Sequence, residues 1–171
     1  MKDDKTVRLA GIVRESIVDG PGIRFVVFTQ GCPHRCEGCH NQSSWDFDGG
    51  YECDISKILD EIDKNPLLKG VTFSGGEPFA QSRALGELGK EVKARGLDLI
   101  IYTGYRFEKL WEMSIEDEEI RMLMEIADYI VDGKFVESLK SYELRFKGSS
   151  NQRIIDAKRS IENGEVVEVE W

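Results

Sequence analysis

The stretch Gly70-Val71-Thr72-Phe73-Ser74-Gly75-Gly76-Glu77-Pro78, continued after a helical pattern by Leu97-Asp98-Leu99-Ile100-Ile101-Tyr102, decides the fold class. Gly70–Phe73 reads as a short buried strand. Pro78 is suited to open a helix that runs to about Arg95, where Gly96 stops it. Leu85, Leu88 and Val92 share one face of that helix. Leu97–Tyr102 is nearly continuously apolar, the pattern of a strand buried on both faces. Strand, helix and strand in succession make a βαβ unit with parallel strands. Outward toward the N-terminus, Ile23–Phe28 is a further strand, and Val7–Val13 a weaker candidate before it. Asp19-Gly20-Pro21-Gly22 between them has turn chemistry. Ile55, Ile58, Leu59 and Ile62 recur at helical spacing behind a candidate N-cap, Asp54. Outward toward the C-terminus, the acidic run Glu116–Glu119 suits a helix start. Ile120, Leu123, Met124 and Ala127 form its apolar face. Asp128–Val131 predicts another strand, Asn151–Ile161 a helix, and Val166–Val169 a last strand. The expectation is an α/β fold: a partial (β/α) barrel of about six mostly parallel strands with helices on the outer face. The chain, at 171 residues, is too short for an eight-unit barrel of about 250.

That length predicts a single domain, residues 1–171, with a core that needs no disulfide staples. With 23 basic and 32 acidic residues the net charge is −9. Such a surface does not attract phosphate backbones, so nucleic acid is not an expected partner. The longest unbroken apolar runs are Phe25–Phe28 and Leu99–Tyr102, far short of the about 20 residues a membrane crossing needs. The charged start, Met1-Lys2-Asp3-Asp4-Lys5, lacks a signal-peptide apolar stretch. The expected location is cytoplasmic, where cysteines stay reduced and clustered ones bind metal or do redox work.

In folds of this class the working face lies at the carboxyl ends of the strands. The first clear strand runs into Cys32, Cys36 and Cys39. The second runs into Ser74-Gly75-Gly76-Glu77-Pro78, the third into Thr103-Gly104-Tyr105, and the fourth into Asp132-Gly133-Lys134.

The loop Cys32-Pro33-His34-Arg35-Cys36-Glu37-Gly38-Cys39 brings three thiolates to one inorganic centre. Ferredoxins supply four thiolates per cluster, and structural zinc sites are closed by four ligands. Three ligands leave a metal position open for substrate. A [4Fe-4S] cluster with one iron unligated by protein is the natural occupant. The alternative is a structural zinc site completed by Cys53, His34 or His40. Ser74–Pro78 reads either as a plain strand-to-helix turn or as a ligand site. The glycines admit close approach, and Glu77 repels phosphate but suits an ammonium group. An amino acid moiety fits both features, with its carboxylate on the open iron.

The Cys-x3-Cys-x2-Cys loop and the Gly-Gly-Glu-Pro turn resemble the radical S-adenosylmethionine superfamily. Asp19–Phe25, Gln30-Gly31-Cys32 and Cys39-His40-Asn41 resemble its glycyl-radical enzyme activases. Tyr102–Tyr105, Val131–Val136 and Lys147–Gln152 resemble, within these, the group that acts on anaerobic ribonucleoside-triphosphate reductase. The resemblance covers roughly residues 14–153.

It implies that Cys32, Cys36 and Cys39 ligate a [4Fe-4S] cluster and that S-adenosyl-L-methionine chelates its open iron. A low-potential donor such as flavodoxin or ferredoxin supplies the electron; iron–sulfur centres reach about −700 mV. Reductive cleavage then yields a 5′-deoxyadenosyl radical, which takes hydrogen from a glycine of the reductase. By the same resemblance Ser74, Gly75, Gly76 and Glu77 hold the methionine amino end, and Gly38, Cys39 and His40 touch the cofactor. Thr103, Asp132 and Lys134 bind the cofactor carboxylate or a monovalent cation. For Asp132 and Lys134, a turn and a solvated side chain are the equal alternative. Many members carry an aromatic residue before the last cysteine; here it is Gly38, so the adenine contact comes from backbone or elsewhere. Asp19–Gly22 is a structural turn or a receiver of the substrate glycine loop. Ser149, Ser150 and Asn151 are a helix cap or a cofactor contact. Arg24, Arg35, Arg145 and Arg153 are surface residues or partner contacts. The alternatives for function are an activase of formate-lyase type, a small-molecule radical enzyme, an electron carrier and a structural zinc module.

Overall fold

The computed structural model describes residues 5–39 and 42–171. The apolar runs at 25–28, 71–73 and 99–102 become β2 (Arg24–Thr29), β4 (Gly70–Gly75) and β5 (Asp98–Tyr102), three adjacent parallel strands. β6 (Tyr129–Asp132) continues this parallel group beside β5. β1 (Thr6–Ser16), β3 (Tyr51–Asp54), β7 (Arg153–Asp156) and β8 (Glu168–Val169) complete the sheet, in the order β3-β1-β2-β4-β5-β6-β7-β8. The helices are α1 (Ile55–Asp63), α2 (Ser82–Ala94), α3 (Phe107–Ser114), α4 (Glu118–Ile126) and α5 (Ala157–Asn163).

This corrects the expected architecture. Among the described residues there are eight strands rather than about six. Three pairings are parallel and four antiparallel, and the sheet ends at β3 and β8. The mostly parallel arrangement is therefore replaced by a mixed sheet whose parallel part is its centre. Two strands escaped the sequence pattern. β3 is a short, largely exposed edge strand pairing with β1. β7 lies inside the 151–161 segment expected to be one helix. Ile154 and Ile155 are buried on opposite faces of the sheet, so pairing with β6 prevails over helical spacing. The helix starts only after Asp156, whose side chain accepts from Arg159 N at 3.0 Å.

The helices lie on one face, as expected. Their apolar residues, among them Ile58, Leu85, Leu88, Leu110 and Leu123, share a core with Phe25, Val27, Phe73, Leu99, Ile101 and Ile130. Each such fully buried side chain contributes about 1.5–3 kcal/mol. The opposite face carries Ile100, Val131 and Ile154, with Tyr102, Tyr129, Val169 and Trp171 packed on them. At the amino ends of the parallel strands, Arg24 is fully buried. It donates from Nε to Thr72 Oγ1 (2.8 Å), from Nη1 to Pro21 O (3.1 Å) and from Nη2 to Val71 O (3.0 Å), and it pairs with Asp98. Thr72 in turn donates to Asp19 O at 2.8 Å, which pins the 19–22 turn onto the sheet. Arg24 is thus a staple and not a surface residue. Among the described residues no helix is long and apolar enough to cross a membrane.

Candidate metal centre and its rim

Because β2, β4, β5 and β6 are parallel neighbours, their four carboxyl ends share one edge, as the sequence implied. The cysteine loop leaves β2 there. Its stem is held by Gly31 N on Ser44 O (2.6 Å) and Cys32 N on Trp45 O (3.1 Å). Gln30 ties the following segment down by donating from Nε2 to Ser43 O (3.0 Å) and Asp46 O (2.7 Å). Gln81 donates to the carbonyls of Arg8 and Gln30 at 2.8 and 3.3 Å. Gln30 stands in the sequence only as part of the Gln30-Gly31-Cys32 resemblance, and Gln81 carried no sequence signal.

The glycine pair packs against this same stem. Gly76 N donates to Thr29 O and Glu77 N to Gly31 O, both at 2.8 Å. A Cβ on Gly75 would lie 2.5 Å from Thr29 N, and one on Gly76 2.4 Å from Gly31 O. The glycines are therefore required by the cysteine strand's own backbone. Ser74, beside them, accepts through its carbonyl from Thr29 Oγ1 at 3.2 Å.

Glu77 is fully buried, and its carboxylate has its partners within the protein. Oε1 accepts from Thr103 Oγ1 (2.8 Å) and Gly104 N (2.8 Å), and Oε2 from Phe79 N (3.0 Å). His34 Nε2 lies 2.6 Å from Oε1. The structure thus brings Glu77, Thr103 and the cysteine loop together, with His34, considered above only as a zinc ligand, as the link.

Cys32 is buried, whereas Cys36 and Cys39 are half-buried. Burial pushes the Cys32 thiol up, with the Glu77 charge adding to it against backbone hydrogen bonds from His34 and Arg35. Burial likewise raises Cys36, against a backbone hydrogen bond from Phe135 and the nearby Lys134 ammonium. N–H groups aimed at sulfur and a nearby cation are the surroundings that stabilise cluster thiolates. Cys53 sits on β3 opposite Val7, beside Lys57, and packs on the helix-side core. Among the described residues no three His, Cys, Asp or Glu side chains converge as around a single ion. His40 lies outside the described residues.

Gly38 has φ +75°, and a Cβ there would lie 2.8 Å from the Glu137 carboxyl carbon. An aromatic side chain at 38 would meet both the left-handed backbone and Glu137. Asp132 is fully buried and fully engaged. It accepts from Phe107 N (2.8 Å), from Arg153 Nε (3.1 Å) and from Arg153 Nη2 (2.5 Å), while Arg153 also reaches Glu108. Asp132 therefore anchors α3 and β7, and Arg153 is its partner, a pairing the sequence did not signal. Lys134 is exposed at the rim, near Cys36. Beside it, Asn151 donates to Lys134 O at 2.8 Å, and its buried Oδ1 has no partner. Ser149 is buried and accepts from Val136 N at 3.2 Å; it does not cap the last helix, which starts behind Asp156.

A family described as a 4Fe-4S single cluster domain matches residues 18–155. A protein of Vibrio cholerae named anaerobic ribonucleoside-triphosphate reductase-activating protein is 34% identical over 146 residues, covering 81% of this chain and 90% of the relative. One of the same name from enterobacteria phage T4 is 35% identical over 143 residues, covering 80% and 86%. Another, from Escherichia coli, is 31% identical over 144 residues, covering 80% and 90%.

Proposed function

Because this chain belongs to the anaerobic ribonucleoside-triphosphate reductase-activating proteins and to the 4Fe-4S single cluster domain family, we propose that it is a radical S-adenosylmethionine activase of that reductase, acting as one domain. The observation that carries the reading is the placement of Cys32, Cys36 and Cys39 on one loop. That loop lies at the shared carboxyl edge of four parallel strands, and the fourth cysteine of the chain lies outside it, on the edge strand β3.

The residues fit the two groups. Three thiols with N–H donors and a lysine nearby suit a cluster that keeps one iron for substrate. Lys134 suits a carboxylate, and the unpartnered Asn151 Oδ1 beside it suits a donor of the nucleoside. When bound, cluster and S-adenosylmethionine supply a strongly reducing electron and a 5′-deoxyadenosyl radical that takes hydrogen from a glycine of the reductase.

The protein's own part is positioning. Cys32, Cys36 and Cys39 hold the cluster. The Glu77 carboxylate is saturated by protein donors, so the ammonium of the cofactor falls to backbone carbonyls at Ser74–Gly76. Thr103 serves through Glu77, and Asp132 through Arg153 and α3, which leaves Lys134 as the rim charge that meets the ligand. A monovalent cation at Asp132 gains no support, because a guanidinium already neutralises that carboxylate.

The test is anaerobic purification followed by iron, sulfide and zinc analysis and electron paramagnetic resonance. The reading expects close to four irons and four sulfides per chain. It also expects a reduced-cluster signal that S-adenosylmethionine perturbs and a glycyl radical when the reductase is added. Zinc without sulfide, or a cluster blind to the nucleoside, overturns it.

A further inference from the structure

The tie between His34 and Glu77 crosses from the cysteine loop to two other strand ends. His34 lies midway between Cys32 and Cys36. Its ring is 6% exposed, and the Glu77 side chain it meets is 0% exposed. Glu77 already accepts two backbone N–H groups and the Thr103 hydroxyl, so its oxygens act here as acceptors and the matching tautomer has Nε2 as the donor. Phe79 follows β4, while Thr103 and Gly104 follow β5. One carboxylate thus fastens the loop of β2 to the ends of β4 and β5. The ring is shaped to this place from two further sides. Tyr105 meets it edge-on, with centroids 4.5 Å apart. A Cβ on Gly104 would fall 2.3 Å from His34 Cδ2, so residue 104 must be glycine for the ring to lie on its backbone. Arg35, the next residue, is exposed and rests over the Trp45 ring.

We infer that His34 is a positioning residue whose Nε2–H bond to buried Glu77 locks the cysteine loop to the ends of β4 and β5, so that the three thiols are presented in one arrangement. The inference rests on the proposed function only in naming a cluster as what the loop holds. Charge-assisted hydrogen bonds shielded from water are the strong ones. Loss of this one should raise the population of the opened loop by about tenfold to a hundredfold.

Two readouts test it. In the metal-free full-length protein, amide hydrogen exchange at residues 34–36 reports loop opening without any cluster. In the anaerobically loaded protein, the rate of iron loss to excess chelator reports how firmly the thiols are held. His34→Ala should speed both by about tenfold or more. His34→Gln, whose amide nitrogen takes the place of Nε2, should recover most of the difference. Gly104→Ala should resemble His34→Ala by pushing the ring away. The double variant should be no worse than His34→Ala, because the clash needs the ring. If His34→Ala destabilises the whole fold, the Gln rescue and the Gly104→Ala comparison decide. Exchange and iron loss within twofold of the parent in His34→Ala overturn the inference. So does His34→Gln behaving as His34→Ala while Gly104→Ala behaves as the parent. If the parent loads no iron at all, the proposed function has failed, and hydrogen exchange still judges the latch.

Discussion

Replacing Asp132 by Asn asks whether this carboxylate belongs to the fold or to a ligand. Asp132 is fully buried, and Arg153 is 16% exposed, so water screens the pair weakly. The carboxylate accepts three hydrogen bonds: two from the guanidinium at 3.1 and 2.5 Å and one from Phe107 N at 2.8 Å. An asparagine oxygen can keep the Phe107 N–H, and Arg153 keeps its exposed contact with Glu108. What is lost is the charge pairing and one acceptor, leaving a mostly buried guanidinium undercompensated. Breaking a buried pair from one side costs about 3–5 kcal/mol. With the retained bonds subtracted, the expected loss is about 2–4 kcal/mol, since a hydrogen bond is worth about 1 kcal/mol. For a chain of this length each kcal/mol moves the thermal midpoint by about 2–4 °C, so Asp132→Asn should melt about 4–16 °C lower. A double-mutant cycle with Arg153→Met isolates the pair: Arg153→Met should cost markedly less when Asp132→Asn is already present. S-adenosylmethionine affinity, measured under conditions where both proteins are folded, should change little. A melting point within about 1 °C of the parent, together with weakened cofactor binding, would refute the reasoning and return Asp132 to the ligand.

Cys36→Ala should abolish retention of iron and sulfide, whereas Cys53→Ala should leave both intact; loss of the cluster in the Cys53 variant would break the three-ligand assignment. Gly76→Ala should loosen the cysteine loop, because its Cβ would meet Gly31 O at 2.4 Å; reduced iron content with little change in far-ultraviolet dichroism is the expected pair of results. For Asp128, burial pushes the carboxyl up. The Lys93 ammonium, the Leu99 N–H and the Lys158 charge outweigh it and hold the group below its ordinary value. A depressed folded value means that its stabilisation is present above about pH 3.9 and is lost as pH falls through the lower folded value. Asp128→Asn should therefore be less stable than the parent at pH 7, with the gap in urea midpoint closing below about pH 4; a gap that does not vary with pH contradicts the assignment.

The central sheet was legible because its strands are continuous apolar runs, and the run 99–102 must be covered on both faces wherever it lies. The flanks were not. Tyr51–Asp54 is too short and polar to signal a strand, and it exists because β1 offers it an edge. Residues 153–156 carry two isoleucines whose spacing also suits a helix; only the neighbouring β6 makes the extended form the one that buries both. The three cysteines were legible as a metal loop, since their spacing narrows what they can hold, whereas the packing of Gly75 and Gly76 on the cysteine strand's backbone was not. The partners of Glu77 and Asp132 were not. His34 and Arg153 lie 43 and 21 residues away from them, and nothing in local pattern couples residues at such separations. For the same reason Glu77 looked like a free counter-charge for an ammonium, although in the fold its charge is spent on the protein.

The charges that the fold buries at this edge are thereby divided in a consistent way. The buried carboxylates Glu77 and Asp132 are each satisfied by groups that come from elements distant in sequence, and each therefore fixes one connection against another. Unpaired, either charge would cost several kcal/mol in so dry a place. Their pairing stiffens the edge before any ligand arrives, and a stiff edge reduces the ordering that binding must impose. What the rim offers a ligand is different in kind: three thiols, the exposed Lys134 ammonium and the buried amide oxygen of Asn151. Soft sulfur donors, a cation and a lone acceptor are a complementary set for an iron–sulfur centre beside a molecule that carries a carboxylate and N–H or O–H donors. A phosphate ligand would use the lysine but leave the thiols idle, and a single zinc ion would use the thiols but leave the lysine and the amide idle. A ligand pair that engages all three kinds of group accounts for their meeting at one edge, where the carboxylates are already committed to the fold.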